Sequence, residues 1–307
     1  ESYISCIFHN NGKTESPQNK IILLGTFLLI VLGIYSFSVF HNDFDKFNMN
    51  GMGSTVGNTF SIMGLMLLTY KALMFIYMLY NYFKYKPIAS VKDDELPTCT
   101  VIVPAYNEGK QVWDTLMSLE KSDYPKDKLQ LIAIDDGSLD DTWDWILDAK
   151  NKLGDRLYIF KQPKNKGKRH ALYRGFNIGT GDIFVTVDSD SIVNTNTIRH
   201  LVSPFVNNED CEAVAGNIRV LNNKKAMLPK MLDVSFVLSF EFVRSAESNL
   251  NSVLCTPGAL AAYRSTAVHN CLPEWINQTF MGQPSDIGED VANSPVQALF
   301  LKHIEFN

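Results

Sequence analysis

Between Thr98 and Asp188 the sequence repeats one unit four times: a short apolar run that ends in polar or acidic residues. The runs are TCTVIVPA (98–105), LQLIAIDD (129–136), LYIFKQ (157–162) and DIFVTVD (182–188). Each is too short for a buried helix and holds β-branched or aromatic residues, which predicts a strand. The stretches 109–120, about 140–152 and about 168–178 between them predict helices. Alternation of this kind implies a parallel sheet covered on both faces. In such sheets a ligand sits beyond the carboxyl ends of the strands, where the loops converge. Here those ends read PAYNEG, DDGS, KQPKNKGKR and DSDS, so polar chemistry gathers where a site is expected.

The first third of the chain has a different texture. Residues 21–40 carry no charge over twenty positions, enough to cross ~30 Å of hydrocarbon as a helix. Residues 59–83 form a second apolar run, interrupted only by Lys71, which is either near a boundary or buried against another helix. A signal peptide fits poorly, because a second long run follows and no small-residue cleavage site is evident. The expected segments are a cytoplasmic stretch 1–19, a transmembrane helix 20–41, an external loop 42–58 and a transmembrane helix 59–84. Lys13 and Lys20 precede the first span and Lys84, Lys86 and Lys92 follow the second, while the loop holds Asp43, Asp45 and Lys46. Positive charge at both outer ends places the N-terminus and everything after the second span in the cytoplasm. The GMGSTVG stretch (51–57) lacks dinucleotide-binding spacing and reads as a flexible turn between spans.

Composition narrows the function. A net charge of −5 argues against nucleic acid as a partner, since that needs a basic face. Five widely spaced cysteines without a C-x-x-C fit a reducing compartment rather than a disulfide framework or a zinc site. No G-x-G-x-x-G follows the first strand, which disfavours a dehydrogenase, and no Walker A loop precedes Gly167.

Asp188 and Asp190 stand two apart where the fourth strand runs out. Mg²⁺ and Mn²⁺ prefer carboxylate oxygens, and Mg²⁺ usually shares its shell with water and substrate phosphates. The structural alternative is that these acids cap the helix beginning near TNTIRHLV. Asp135 and Asp136 repeat the theme at the second strand, where Gly137 lets the backbone turn sharply. Asp140 and Asp141 fit a helix cap better. Lys161, Lys164, Lys166, Lys168, Arg169 and Arg174 fall within fourteen residues. Such a run is ordinarily a solvated face, but beside acidic strand ends it also suits a diphosphate.

The ordered set VIVPAYNEG, IDDGS, NKGKRHAL, VTVDSDS, VRSAES, AYR and INQTFMGQPSDIGED, over residues 101–290, resembles the processive membrane glycosyltransferases of family 2. The likeness is greatest to bacterial hyaluronan synthases, with chitooligosaccharide, chitin and cellulose synthases as further relatives. It implies an α/β GT-A fold, Rossmann-like with a mostly parallel sheet, as a cytoplasmic domain over 95–290 behind two transmembrane helices. It further implies a multi-pass protein of the plasma membrane that takes UDP-GlcNAc and UDP-GlcA, extends a growing polysaccharide acceptor and touches membrane lipid. By motif, Tyr106, Glu108, Asp135 and Asp136 would hold the uridine, and Lys168 and Arg169 would face the diphosphate. Asp188 and Asp190 would carry Mg²⁺ or Mn²⁺, with Asp190 the direct ligand, and Asp290 would be the general base of a single inverting displacement.

Two departures temper the resemblance. The family's Q-x-x-R-W motif is absent, Pro295 disturbs the helix expected after GED, and the tail 291–307 is atypical, so a C-terminally truncated chain is expected. Cys255 stands one residue off the synthases' cysteine position and takes no primer role. The alternatives are a chitin or chitooligosaccharide synthase using UDP-GlcNAc alone, and an inactive nucleotide-binding membrane partner.

Overall fold

The computed structural model describes residues 55–223, 226–250, 253, 256–280 and 283–284, with residues 4–6, 31, 33–35 and 304–306 as short separate pieces. The described residues from Met78 onward, with 4–6, form one compact unit, and those up to Tyr77 form another.

Within the second of these lies most of α1 (Thr55–Lys84), a helix of 30 residues. Its segment Ile62–Lys84 is long and apolar enough to cross a membrane, the one such helix among the described residues. Thr55, Val56 and Gly57 belong to α1, so the expected turn over 51–57 is partly helical and the helix starts before residue 59. With no proline nearby, propagation costs little and carries the helix back to Thr55. Lys71 lies midway along the apolar segment with an exposed side chain. The first expected span falls almost wholly outside the described residues.

The larger unit is built on a seven-stranded sheet. Its strands are β2 (Cys99–Ala105), β3 (Leu129–Asp135), β4 (Leu157–Lys161), β5 (Ile183–Val187), β7 (Ala213–Ala215), β9 (Leu260–Arg264) and β12 (Ile304–Phe306). Their order is β12-β7-β9-β5-β2-β3-β4. The four sequence-predicted strands pair in parallel, within a residue or two of the expected bounds. β9 runs antiparallel to both β5 and β7, so the sheet is mostly parallel, as the resemblance implies. A second sheet joins β1 (Ile4–Cys6) to β6 (Ser191–Val193) and β8 (Arg219–Val220), and β10 (Thr279–Phe280) pairs with β11 (Gln283–Pro284).

Side-chain alternation along the strands makes two cores. Val101, Val103, Leu131, Ala133, Val185 and Val187 point to one face and meet α2 (Gln111–Glu120), α3 (Thr142–Leu153) and α5 (Thr197–Asn207). Ile102, Ile132, Ile134 and Phe184 point to the other and meet α4 (Lys168–Ile178) and α6 (Ser265–Ile276). All of these strand residues are buried, and each such side chain stabilises by roughly 1.5–3 kcal/mol. A sheet dry on both faces leaves only its strand ends wet, and the polar loops occupy them.

Candidate active site

The loops after β2, β3, β4 and β5 enclose a cleft of about 360 Å³. Pro104 and Ala105 come from the end of β2, Tyr106 and Glu108 from the loop after it, Asp136 from the second loop, Asn165 and Gly167 from the third with Lys168 at the start of α4, and Asp188, Ser189 and Asp190 from the fourth. Sequence reasoning named six of these as site residues; Asn165, Gly167 and Ser189 gave no separate signal.

The loop after β2 is held by partners remote in sequence. Asn107 adopts the left-handed region at φ 54°, which asparagine tolerates. Its N–H donates to Ser138 Oγ at 3.0 Å and its side-chain oxygen accepts from Leu139 N at 2.9 Å. The N–H groups of Glu108 and Gly109 both donate to Thr142 Oγ1 at 2.8 Å. Thr142 in turn is tied to Asp140 Oδ1 through both N–H and hydroxyl. Asp140 thus holds the first residue of α3, and Asp141, at the N-cap position, accepts from Trp145 Nε1 at 2.9 Å.

At the second strand the paired aspartates divide their work. Asp135 is fully buried; its Oδ1 accepts from Ser138 N at 2.9 Å and Oδ2 lies 3.7 Å from Lys161 Nζ. It shapes the turn and does not line the cleft. Asp136 does line it, while accepting hydrogen bonds from Gln162 Nε2 at 2.9 Å and Lys166 N at 3.0 Å. Burial pushes the Asp136 carboxyl above its ordinary value, opposed by backbone N–H groups of Lys166 and Gly167. Gly137, at φ 74°, brings its backbone against the next loop: a Cβ there would stand 2.5 Å from the carbonyl carbon of Lys164. Only glycine serves at that point.

Acid and base meet at the fourth strand. Lys168 Nζ lies 2.7 Å from Asp188 Oδ1 and donates to Gly258 O at 3.3 Å. Lys168 opens α4, and free N–H groups at a helix start favour an anion. Arg169, the next residue, lies elsewhere. Its guanidinium is buried, 5.4 Å from the centre of the Trp275 ring, and Nη1 donates to Trp275 O at 3.4 Å. It is not among the cleft-lining residues. Thr115 Oγ1 donates to Ser189 O at 2.7 Å and so fixes the DSD turn to α2.

Neither Asp188 nor Asp190 caps α5, because β6 intervenes and α5 begins only at Thr197. The capping alternative is therefore excluded. Burial first, and Asp188 second, hold the Asp190 carboxyl above the usual carboxylate range. Glu108 is raised as well, by burial and then by Asp190, Asp188 and Asp140. Three carboxylates thus crowd one ammonium. Among the described residues no three metal-ligating side chains converge on one point, so protein oxygens alone complete no cage. Two aspartates with an ammonium already seated on one of them fit a hard cation that draws its remaining ligands from a phosphate. Asp290 and Cys255 lie outside the described residues.

A mostly parallel sheet with its cleft at the strand ends is a GT-A-like α/β fold. A mannosyltransferase from Pyrobaculum calidifontis, solved with GDP-Man and Mn2+, shares it with a TM-score of 0.56 at 24% identity, over 78% of this chain and 65% of that one. Residues 100–272 match the family described as Glycosyl transferase family 2, and the chain belongs to that family. It is 30% identical to an N-acetylglucosaminyltransferase of Azorhizobium caulinodans over 72% of this chain. It is 31% identical to a hyaluronan synthase of Streptococcus pyogenes over 89% of this chain. The matched regions span 55% and 61% of those relatives' lengths.

Proposed function

We propose that the cleft binds a UDP-sugar and that the chain serves a membrane-bound inverting glycosyltransferase that polymerises sugars from UDP-GlcNAc and UDP-GlcA at the plasma membrane. The observation that carries this reading is the convergence of Asp136, Lys168, Asp188 and Asp190 on one cleft of about 360 Å³ at the strand ends. Tyr106, Glu108 and Asp136 receive the uridine, while Asp135 supports them from beneath through Ser138 and Lys161. Lys168 serves the diphosphate, leaving Asp188 free for a cation; Arg169 keeps the start of α4 in place through Trp275. Asp188 and Asp190 hold Mg²⁺ or Mn²⁺, which when bound neutralises charge growing on the UDP leaving group. Asp290 takes the proton of the acceptor hydroxyl as its oxygen bonds to the sugar C1 and the C1–phosphate bond breaks. The apolar helix α1 anchors the chain in lipid, with the catalytic domain on the cytoplasmic side.

Membranes holding the chain, supplied with labelled UDP-GlcNAc and UDP-GlcA, test the reading. Incorporation of both sugars is expected, with loss on Asp290→Asn; no UDP release from either nucleotide would sink it. The relative from Azorhizobium caulinodans favours a second reading, a chitooligosaccharide-type synthase. Incorporation of GlcNAc without GlcA would select it.

A further inference from the structure

Asp135 ends β3 and Asp136 follows it; beside them Lys161 ends β4 and Gln162 follows. The parallel register sets Asp135 against Lys161, and the Gln162 N–H extends the ladder by donating to Asp135 O at 2.8 Å. Side chains alternate along a strand, so the next pair, Asp136 and Gln162, meets on the opposite face. The two aspartates are thus met in different ways. Asp135 has an ammonium 3.7 Å from Oδ2, whereas Asp136 takes the neutral Gln162 amide at 2.9 Å and the Lys166 N–H at 3.0 Å. Asp136 and Gln162 are both buried, at 2% and 6% exposure. A cation in place of the amide would take up the charge of the carboxylate. An amide fixes its direction and leaves the charge for a ligand.

Both of these bonds fall on Oδ1. A carboxylate oxygen only accepts and has two lone pairs, so Oδ1 is saturated and the amide must present its NH₂ there. Asp136 lines the cleft, and Oδ2 is the oxygen with capacity left for what enters it. Gln162 is not among the cleft-lining residues, so its effect on a ligand passes through Asp136. Without it, the broad torsion that carries an aspartate carboxylate is free to turn.

An acceptor with a fixed aim distinguishes nucleobases. Uracil presents a ring N3–H between two carbonyls, while cytosine presents a bare N3 at that place. A site built to accept an N–H rejects an analogue that lacks it, because two acceptors are then left facing each other. We propose that Gln162 is a positioning residue that aims Asp136 Oδ2 at the N3–H of uracil and so sets the preference for a uridine nucleotide. This rests on the reading of the cleft as a UDP-sugar site. Gln162 thereby decides which nucleotide enters, and Lys168, Asp188 and Asp190 serve the diphosphate whatever base it carries.

The test is calorimetric binding of UDP and of CDP, each with Mn²⁺, to the full chain in detergent. Gln162→Met keeps the length of the side chain and removes its N–H groups; Gln162→Ser is a second variant that cannot overpack the site. Circular dichroism verifies that each is folded. The unsubstituted protein is expected to bind UDP at least about 100-fold more tightly than CDP. Both variants should bind UDP about 10-fold more weakly with CDP unchanged, so that the preference narrows by that factor. An equal loss for UDP and CDP would overturn the proposal, since Gln162 would then serve only the shape of the loop. Unchanged binding of both would overturn it as well. Equal affinity for UDP and CDP in the unsubstituted protein would overturn it and leave the cleft standing as a nucleotide site. Binding of neither would remove the UDP-sugar reading and the proposal with it.

Discussion

Two groups of acids in this protein, one buried and one half-buried, differ in how their charge is met. Asp233 has a guanidinium, an amide and a backbone N–H around it, and these hold its carboxyl below the usual range despite burial. Asp190 has mainly burial and Asp188 beside it, Glu108 has burial and then Asp190 and Asp188, and both are pushed upward. The first group is a closed structural device whose partners all come from nearby chain, Arg219 to Glu241. The second is left short of positive charge, with one ammonium, Lys168, among three carboxylates. A surplus of like charge in a half-buried cleft is costly unless a ligand supplies the counter-charge, which supports the proposal that the cleft binds one.

This contrast can be broken by experiment. The largest effect is expected for Asp233→Ala, which leaves the mostly buried Arg219 guanidinium with Glu241 as its carboxylate partner and removes the acceptor of Asn223 and Val220; a loss of about 1.5–3 kcal/mol should appear in urea unfolding. A change under 1 kcal/mol would show that the device is ornamental. Asp190→Ala should do the reverse: leave the unfolding midpoint unchanged or raised, and weaken Mn²⁺-dependent UDP binding by about 100-fold, read by calorimetry. Retained metal-dependent binding would move the cation away from the DSD turn. Gly137→Ala is next, expected to destabilise by at least about 1–2 kcal/mol, because it strains the left-handed backbone and collides with Lys164. Unchanged stability and UDP affinity would mean that the two loops part freely. Thr142→Val removes the acceptor shared by Glu108 and Gly109 N–H and should cost about 1 kcal/mol, with a higher KM for donor and little change in fold.

The pH dependence is the smallest effect. Asp233 is depressed in the folded protein, so its contribution is fully present above the ordinary carboxylate value of about 4 and fades as pH falls through the lower folded value. Stability measured downward from pH 5 should therefore fall less steeply in Asp233→Ala than in the unsubstituted protein. Equal slopes would show that Arg219 does not favour the ionised form.

Much of this molecule was legible in its sequence because strand and helix periods are local properties. Val101, Ile102 and Val103 announce a strand dry on both faces, and the polar residue that ends each strand must then sit at the sheet's wet edge. Asp136 and Asp188, with Asp190 two residues on, follow from that rule. Contacts across loops do not. No local pattern says that Thr142 holds Glu108 and Gly109, that Lys168 rather than Arg169 faces the cleft, or that β9 enters antiparallel between β5 and β7. Arg169 follows Lys168 on a helix, where neighbouring positions point about 100° apart, so one reaches the cleft and the other the Trp275 ring. Met227, Leu228, Met231, Leu232, Val234 and Leu238 are exposed, while Asp233 is buried among Arg219 and Asn223, a placement that no local pattern announces. The sequence by itself determined the strands, their covered faces and the acids at their ends, since these depend on residues within one turn or one pleat. Tertiary structure alone decided which of those acids are neutralised, because that depends on partners twenty or more residues away.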